Sequence, residues 1–131
     1  MTALNPFLRN AIMLDAVVST IAGLGMIAGS GILAVPLGLP SELLLAAGIA
    51  CVPFVAMLVL IVRANAAPAS LLTTIIALNI AWGAASLFLA FGPMLKPTLL
   101  GQLFAAAQGA AVLLFAELQI VGFRRAGRAT A

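Results

Sequence analysis

The chain has 131 residues, of which 65% are apolar and 7% charged, with a net charge of +3. A transmembrane helix takes about 20 apolar residues, so the apolar content suffices for four spans, whereas a soluble domain carries roughly 25% charged residues and a disordered chain is poor in apolar ones. With no histidine and a single cysteine, Cys51, the usual zinc sites, haem attachment, a dithiol redox pair and a Ser-His-Asp triad are excluded.

Asn5-Pro6 predicts a helix start, with the proline in the first turn. The first span, 11–35, ends in the breaker-rich stretch Pro36-Leu37-Gly38-Leu39-Pro40. Its apolar run exceeds the roughly 7–15 residues of a signal-peptide core and contains Asp15, so it reads as a span. The second span, 43–62, opens at Ser41 as N-cap, and Glu42 in the first turn suits the positive end of the helix dipole. Pro53 falls inside it and predicts a kink, because the bond to the carbonyl of Ile49 is lost. The third span, 71–91, lies between Pro68 with Ser70 and Gly92-Pro93. The fourth, 99–123, lies between Pro97-Thr98 and Arg124-Arg125. Residues 126–131 read as a disordered tail. Short connections make neighbouring helices antiparallel. The expectation is an all-α integral membrane protein, a single up-down bundle of four helices.

Both termini and the connection between spans two and three share one side. That side carries Arg9, Arg63, Arg124, Arg125 and Arg128; the other carries Lys96 alone. The positive-inside rule then predicts cytoplasmic N and C termini. The Ala/Gly-rich, Lys-poor composition suits the inner membrane of a bacterial-type cell. The cations flank apolar segments, so they point to lipid headgroups rather than nucleic acid.

Function must come from side chains out of place in hydrocarbon. Asp15 and Glu117 each lie about 9–10 Å inside the arginines of their own spans, at the 1.5 Å helical rise. They are candidates for proton or cation coupling. Asp15 heads a face with Ser19, Ala22, Met26 and Gly29, small and polar as a buried face in a membrane bundle is. A bond to another helix is the structural alternative. Glu117 lies two turns from Arg124 on one face, which suits an ion pair. Asn79 shares a face with Gly83, Ser86 and Ala90. Gln108 shares one with Gly101, Ala105, Val112, Phe115, Gln119 and Gly122. Asn79 and Gln108 both lie mid-span, which predicts a hydrogen bond between spans three and four. Trp82 is also mid-span, away from the interface where tryptophan concentrates. It is expected to face the bundle beside Asn79, packing there or stacking on a ligand. Cys51 reads as a small apolar residue beside Pro53.

Ile12-Met13-Leu14-Asp15 and Ile80-Ala81-Trp82-Gly83 resemble, over about twenty residues, the acid-bearing first helix and Trp-bearing third helix of the small multidrug resistance transporters. The resemblance implies a proton-coupled site at Asp15. Asp15 stands where that family has glutamate, and its Tyr-rich third-helix motif is absent, so no family is assigned. Two readings follow. The first is a non-enzymatic scaffold or subunit of a membrane complex, with the lipid bilayer and a homo-oligomer or larger assembly as partners, and no cofactor. The second is a proton-coupled transporter of small amphipathic or cationic solutes. It would use Asp15 and Glu117 for coupling, with Ser19, Asn79, Trp82 and Gln108 inside the bundle. No catalytic or metal-binding constellation is expected.

Overall fold

The computed structural model describes residues 1–130, with side chains through Gly127. Four helices make up the fold: α1 (Pro6–Leu37), α2 (Ser41–Ala64), α3 (Ala69–Phe91) and α4 (Leu99–Thr130). All four are long and apolar enough to cross a membrane. The start of α1 is as the sequence predicts: the Asn5 side chain accepts from the Leu8 amide at 2.7 Å, and Pro6 occupies the first turn. α2 begins one residue earlier than expected, with Pro40 at the cap and Ser41 inside the helix. It runs unbroken past Pro53. α4 continues to Thr130 through most of the segment expected to be a tail. Arginine and alanine are good helix formers, and no proline stops them. Ala131 and the Arg128 side chain lie outside the described residues.

Two short strands were not legible from periodicity. β1 (Thr2–Ala3) pairs antiparallel with β2 (Ala66–Ala67). They clip the N-terminus to the α2–α3 connection, and the Leu4 amide donates to the carbonyl of Asn65 at 3.0 Å. Arg9 reinforces this end by donating to the carbonyl of Val62 at 2.7 Å and to Asn65 Oδ1 at 3.3 Å. A cation at the last carbonyls of α2 complements its dipole. At the other end Thr98 donates to the carbonyl of Pro36 at 2.6 Å, and its hydroxyl accepts from the Gly101 amide at 3.1 Å. One residue thus caps α4 and ties together the two connections at that end.

Three helix pairs pack, and each contact is built on glycine. α1 meets α2 where Gly23 lies against Gly48, and α3 meets α4 where Gly83 lies against Gly109. α1 meets α4 where Leu8 covers Gly122 and where the Leu37 carbonyl presses on Gly101. The last two contacts pair the start of α1 with the end of α4 and the reverse, so all packed pairs are antiparallel. α2 and α3 are consecutive in the chain yet barely touch. An apolar cluster that includes Leu4, Leu8, Ile12, Leu58, Leu72 and Ile75 fills the end that holds the termini. A second cluster of Met26, Leu37, Leu39 and Leu44, with Trp82, Leu95 and Phe104 against it, fills the opposite end.

Gly38 ends α1 in the left-handed conformation, at φ 65°. A side chain there costs about 1–2 kcal/mol from the backbone alone, and its Cβ would also stand 2.8 Å from the Thr98 nitrogen. Gly38→Ala should therefore lower stability by about 2 kcal/mol or more. Unfolding by SDS titration, followed by circular dichroism, measures this; a loss below about 0.5 kcal/mol would mean that the cap rearranges freely.

Candidate functional site: a carboxylate held by three helices

Asp15 is fully buried, and three side chains converge on it. Ser19, one turn on along α1, donates from Oγ to Oδ1 at 3.0 Å. Asn79 of α3 donates from Nδ2 to Oδ2 at 2.7 Å, and Gln119 of α4 donates from Nε2 to the same oxygen at 2.8 Å. Asn79 Nδ2 also donates to Gln119 Oε1 at 3.0 Å, which closes a triangle. Asn79 and Gln119 are 3% and 1% exposed. The carboxylate thus accepts from α1, α3 and α4 at once. No buried side-chain nitrogen or oxygen among the described residues lacks a partner, and none of the cluster's partners is cationic.

The sequence placed Asp15, Ser19 and Asn79 on inward faces, and the structure brings them together. It corrects the partner expected for Asn79, which bonds to Asp15 and Gln119 rather than Gln108. The reason is register. The Gly83–Gly109 contact fixes how α3 lies along α4. α4 is 32 residues long against 23 for α3, so the two midpoints do not coincide. Gln119 lies on the face of α4 expected to be buried. Its signal was depth: it lies five residues inside Arg124, as Asp15 lies six inside Arg9.

Glu117 is not part of the site. It precedes Gln119 by two residues, about 200° around a helix with 3.6 residues per turn, and it is exposed. The expected ion pair with Arg124 does not form among the described residues. The neighbouring Arg125 packs instead over the ring of Phe7, 4.6 Å from its centroid, so the last turns of α4 dock on the start of α1.

Beside the cluster is a cavity of about 200 Å³, walled by all four helices and floored by Ser19 and Asn79, two of the residues that hold Asp15. Val18, Cys51, Phe54 and Trp82 are among its walls. A second cavity of about 330 Å³ lies toward the α1–α2 connection and shares Ala50, Trp82 and Gln108 with the first. Trp82 therefore faces the interior as expected, at the junction of the two chambers. Gln108 lines both and is half-buried. For scale, a dry apolar cavity of ~150 Å³ accepts benzene. The described residues hold no group of three or more metal-ligating side chains. No protein-family model, curated protein or solved structure compared with this chain matches it.

Proposed function

We propose that this protein is a membrane transporter of small amphipathic or cationic solutes, coupled to protons through Asp15. The termini and the α2–α3 connection lie on the cytoplasmic side of a bacterial-type inner membrane, as the asymmetry of basic residues favours. The observation that carries the reading is the position of a fully buried, cation-free carboxylate cluster at the wall of a cavity lined by all four helices. Stability alone is a poor reason for such an acid. An aspartate costs about 2.5–3.5 kcal/mol at a span centre and less at the depth of Asp15, about 9 Å inside Arg9, while an interhelical side-chain bond returns only about 0.6 kcal/mol on average.

The cluster suits proton exchange. Both amides donate to Oδ2, and Ser19 alone faces Oδ1. A serine hydroxyl donates or accepts. A proton on Oδ1 reverses only that bond, with the carboxyl donating to Oγ, and the heavy atoms stay in place. Loss of that proton to solvent at the terminal end, about 9 Å away at the level of Arg9, leaves a carboxylate whose charge a bound ammonium group balances. Glu117, exposed on the far side of α4, has no part in this exchange.

The test is proton release from purified protein in weakly buffered detergent on addition of lipophilic cations. Wild type should release up to about one proton per site, and Asp15→Asn none, with Glu117→Gln behaving as wild type. Asparagine reproduces the protonated carboxyl, its amide donating to Ser19 while its oxygen accepts from Asn79 and Gln119, so the fold should persist. The second reading is a scaffold without a ligand, favoured by the fact that all buried polar side-chain atoms among the described residues are already satisfied. Absence of release from folded wild-type protein would select it.

A further inference from the structure

The two chambers are closed at both ends of the bundle and open at the side. At the terminal end the Leu8–Ile12–Leu58–Ile75 cluster and the β1–β2 clip lie beneath the Asp15 site. At the other end Met26, Leu39 and Leu44 wall the second chamber, and the Thr98–Pro36 hydrogen bond laces the connections over it. The gap is between α2 and α3, the sequential pair that meets only in the terminal cluster of Leu58, Ile61, Leu72 and Ile75. Its rims are the exposed chamber-lining residues Ala46 and Ala50 of α2 and Leu78 and Ala85 of α3. None of the four carries a polar side chain, and all lie well inside their spans. A slot of this kind at that level opens onto lipid tails, not onto water.

We infer that the ligand reaches Asp15 sideways from the bilayer, and that it is a single-chain amphiphile with a protonated amine head. The inference rests on the reading of Asp15 as a coupling acid and adds the route and the ligand class. The head is fixed by charge: the carboxylate cluster has no cationic partner of its own, and Ser19 and Asn79, which bond to Asp15, form the floor of the chamber directly above it. The tail is fixed by the slot, whose apolar rims a purely polar cation would leave uncovered. Trp82, at the junction of the chambers, lies along the path. An aromatic face there also attracts an ammonium group in passing.

Trp82 is the sole tryptophan, so its fluorescence reports on the chamber. The experiment uses the full chain in phospholipid vesicles and a decylamine brominated near the end of its tail, bromine being a contact quencher. Quenching of Trp82 should follow the mole fraction of the amine in the bilayer and stay unchanged when the aqueous volume is varied at constant mole fraction. Unbrominated decylamine should relieve it; ethylamine, with the same head and no tail, should not. Ala50→Leu with Ala85→Leu narrows the slot and should weaken quenching at least about tenfold, a magnitude typical of a few misplaced methylenes in an apolar pocket. Leu78→Ala widens the slot and should strengthen quenching, which keeps the test informative if the narrowed variant does not fold. Competition by ethylamine as effective as by decylamine, with slot variants indistinguishable from wild type, would overturn the lateral route while leaving coupling at Asp15 intact. Absence of quenching in folded protein would also overturn it, with a dimer by native mass spectrometry identifying a second copy as what covers the slot. Quenching that persists without amine-dependent proton release would instead remove the coupling reading.

Discussion

Asp15→Ala should destabilise the bundle by about 2–4 kcal/mol, and Asp15→Asn by less than about 1 kcal/mol. The difference is in what each substitution leaves behind. Alanine removes the acceptor for Ser19, Asn79 and Gln119 together. Asn79 and Gln119 keep the bond between them, but Gln119 Nε2 then points into a dry interior with nothing to receive it. A buried donor without a partner costs about 1–3 kcal/mol, more than the bond itself is worth. Asparagine keeps an oxygen where Oδ2 stands and a nitrogen facing Ser19, so every group retains a partner. The cluster should also behave as a unit. After Asp15→Ala, adding Asn79→Ala should cost at least about 1 kcal/mol less than Asn79→Ala alone, because contacting residues couple. Unfolding by SDS titration measures all four variants. Simple additivity of the two substitutions would mean that the cluster is three independent contacts, and that α1, α3 and α4 are held together elsewhere.

How much of this site the sequence discloses depends on whether a feature belongs to one helix or to two. Spacing at three and four residues put Asp15 with Met26, Asn79 with Gly83 and Ser86, and Val112 with Gln119, each on a buried face, and all of them are buried. Depth relative to the flanking arginines is also legible, since the helical rise is fixed. Register between helices is not, because it depends on where two glycines of different helices meet. Matching midpoints pairs Asn79 with Gln108, and the Gly83–Gly109 contact moves it to Gln119. Glu117 shares Asp15's depth but not its direction, and two residues of helix separate a bonded side chain from an exposed one. The β1–β2 clip was illegible for another reason: strands of two residues have no period. The lateral slot follows from what α2 and α3 lack. No glycine of α2 is free to meet α3, since Gly48 is taken by α1 and it is the only glycine in that helix.

The glycines at these contacts should be as sensitive as the acid. A Cβ on Gly48 would stand 2.8 Å from the Gly23 carbonyl oxygen and 3.0 Å from the Ile27 nitrogen. Both are backbone atoms of α1, so relief requires the two helices to separate. Gly48→Leu should therefore cost at least about 3 kcal/mol, the upper range for overpacking a tight interface. Gly83→Ala should cost less than Gly48→Ala: at both glycines the nearest atom is a side-chain carbon at 2.6 Å, Leu113 Cγ and Ile27 Cγ1, but Gly48 also meets two backbone atoms of α1 whereas Gly83 meets one backbone atom of α4, the Gly109 oxygen at 3.0 Å. Gly25 and Gly31 of α1 have nothing within 4 Å of such a Cβ, so Gly25→Ala and Gly31→Ala should be neutral or should gain up to about 0.8–1 kcal/mol from helix propensity. The four alanine variants form one series on the same SDS titration. Equal losses at Gly25 and Gly48 would mean that glycine acts through helix propensity rather than close approach, and the account of why α2 packs on α1 while α3 stands apart would fail. The ranking also bears on the slot. If Gly48→Leu pushes α2 away from α1, it moves α2 relative to the gap beside α3, and access of a brominated amine to Trp82 should change in the same variant that loses stability. Gly25→Ala, two residues from Gly23 but facing away from both contacts, should leave that access as it is in wild type.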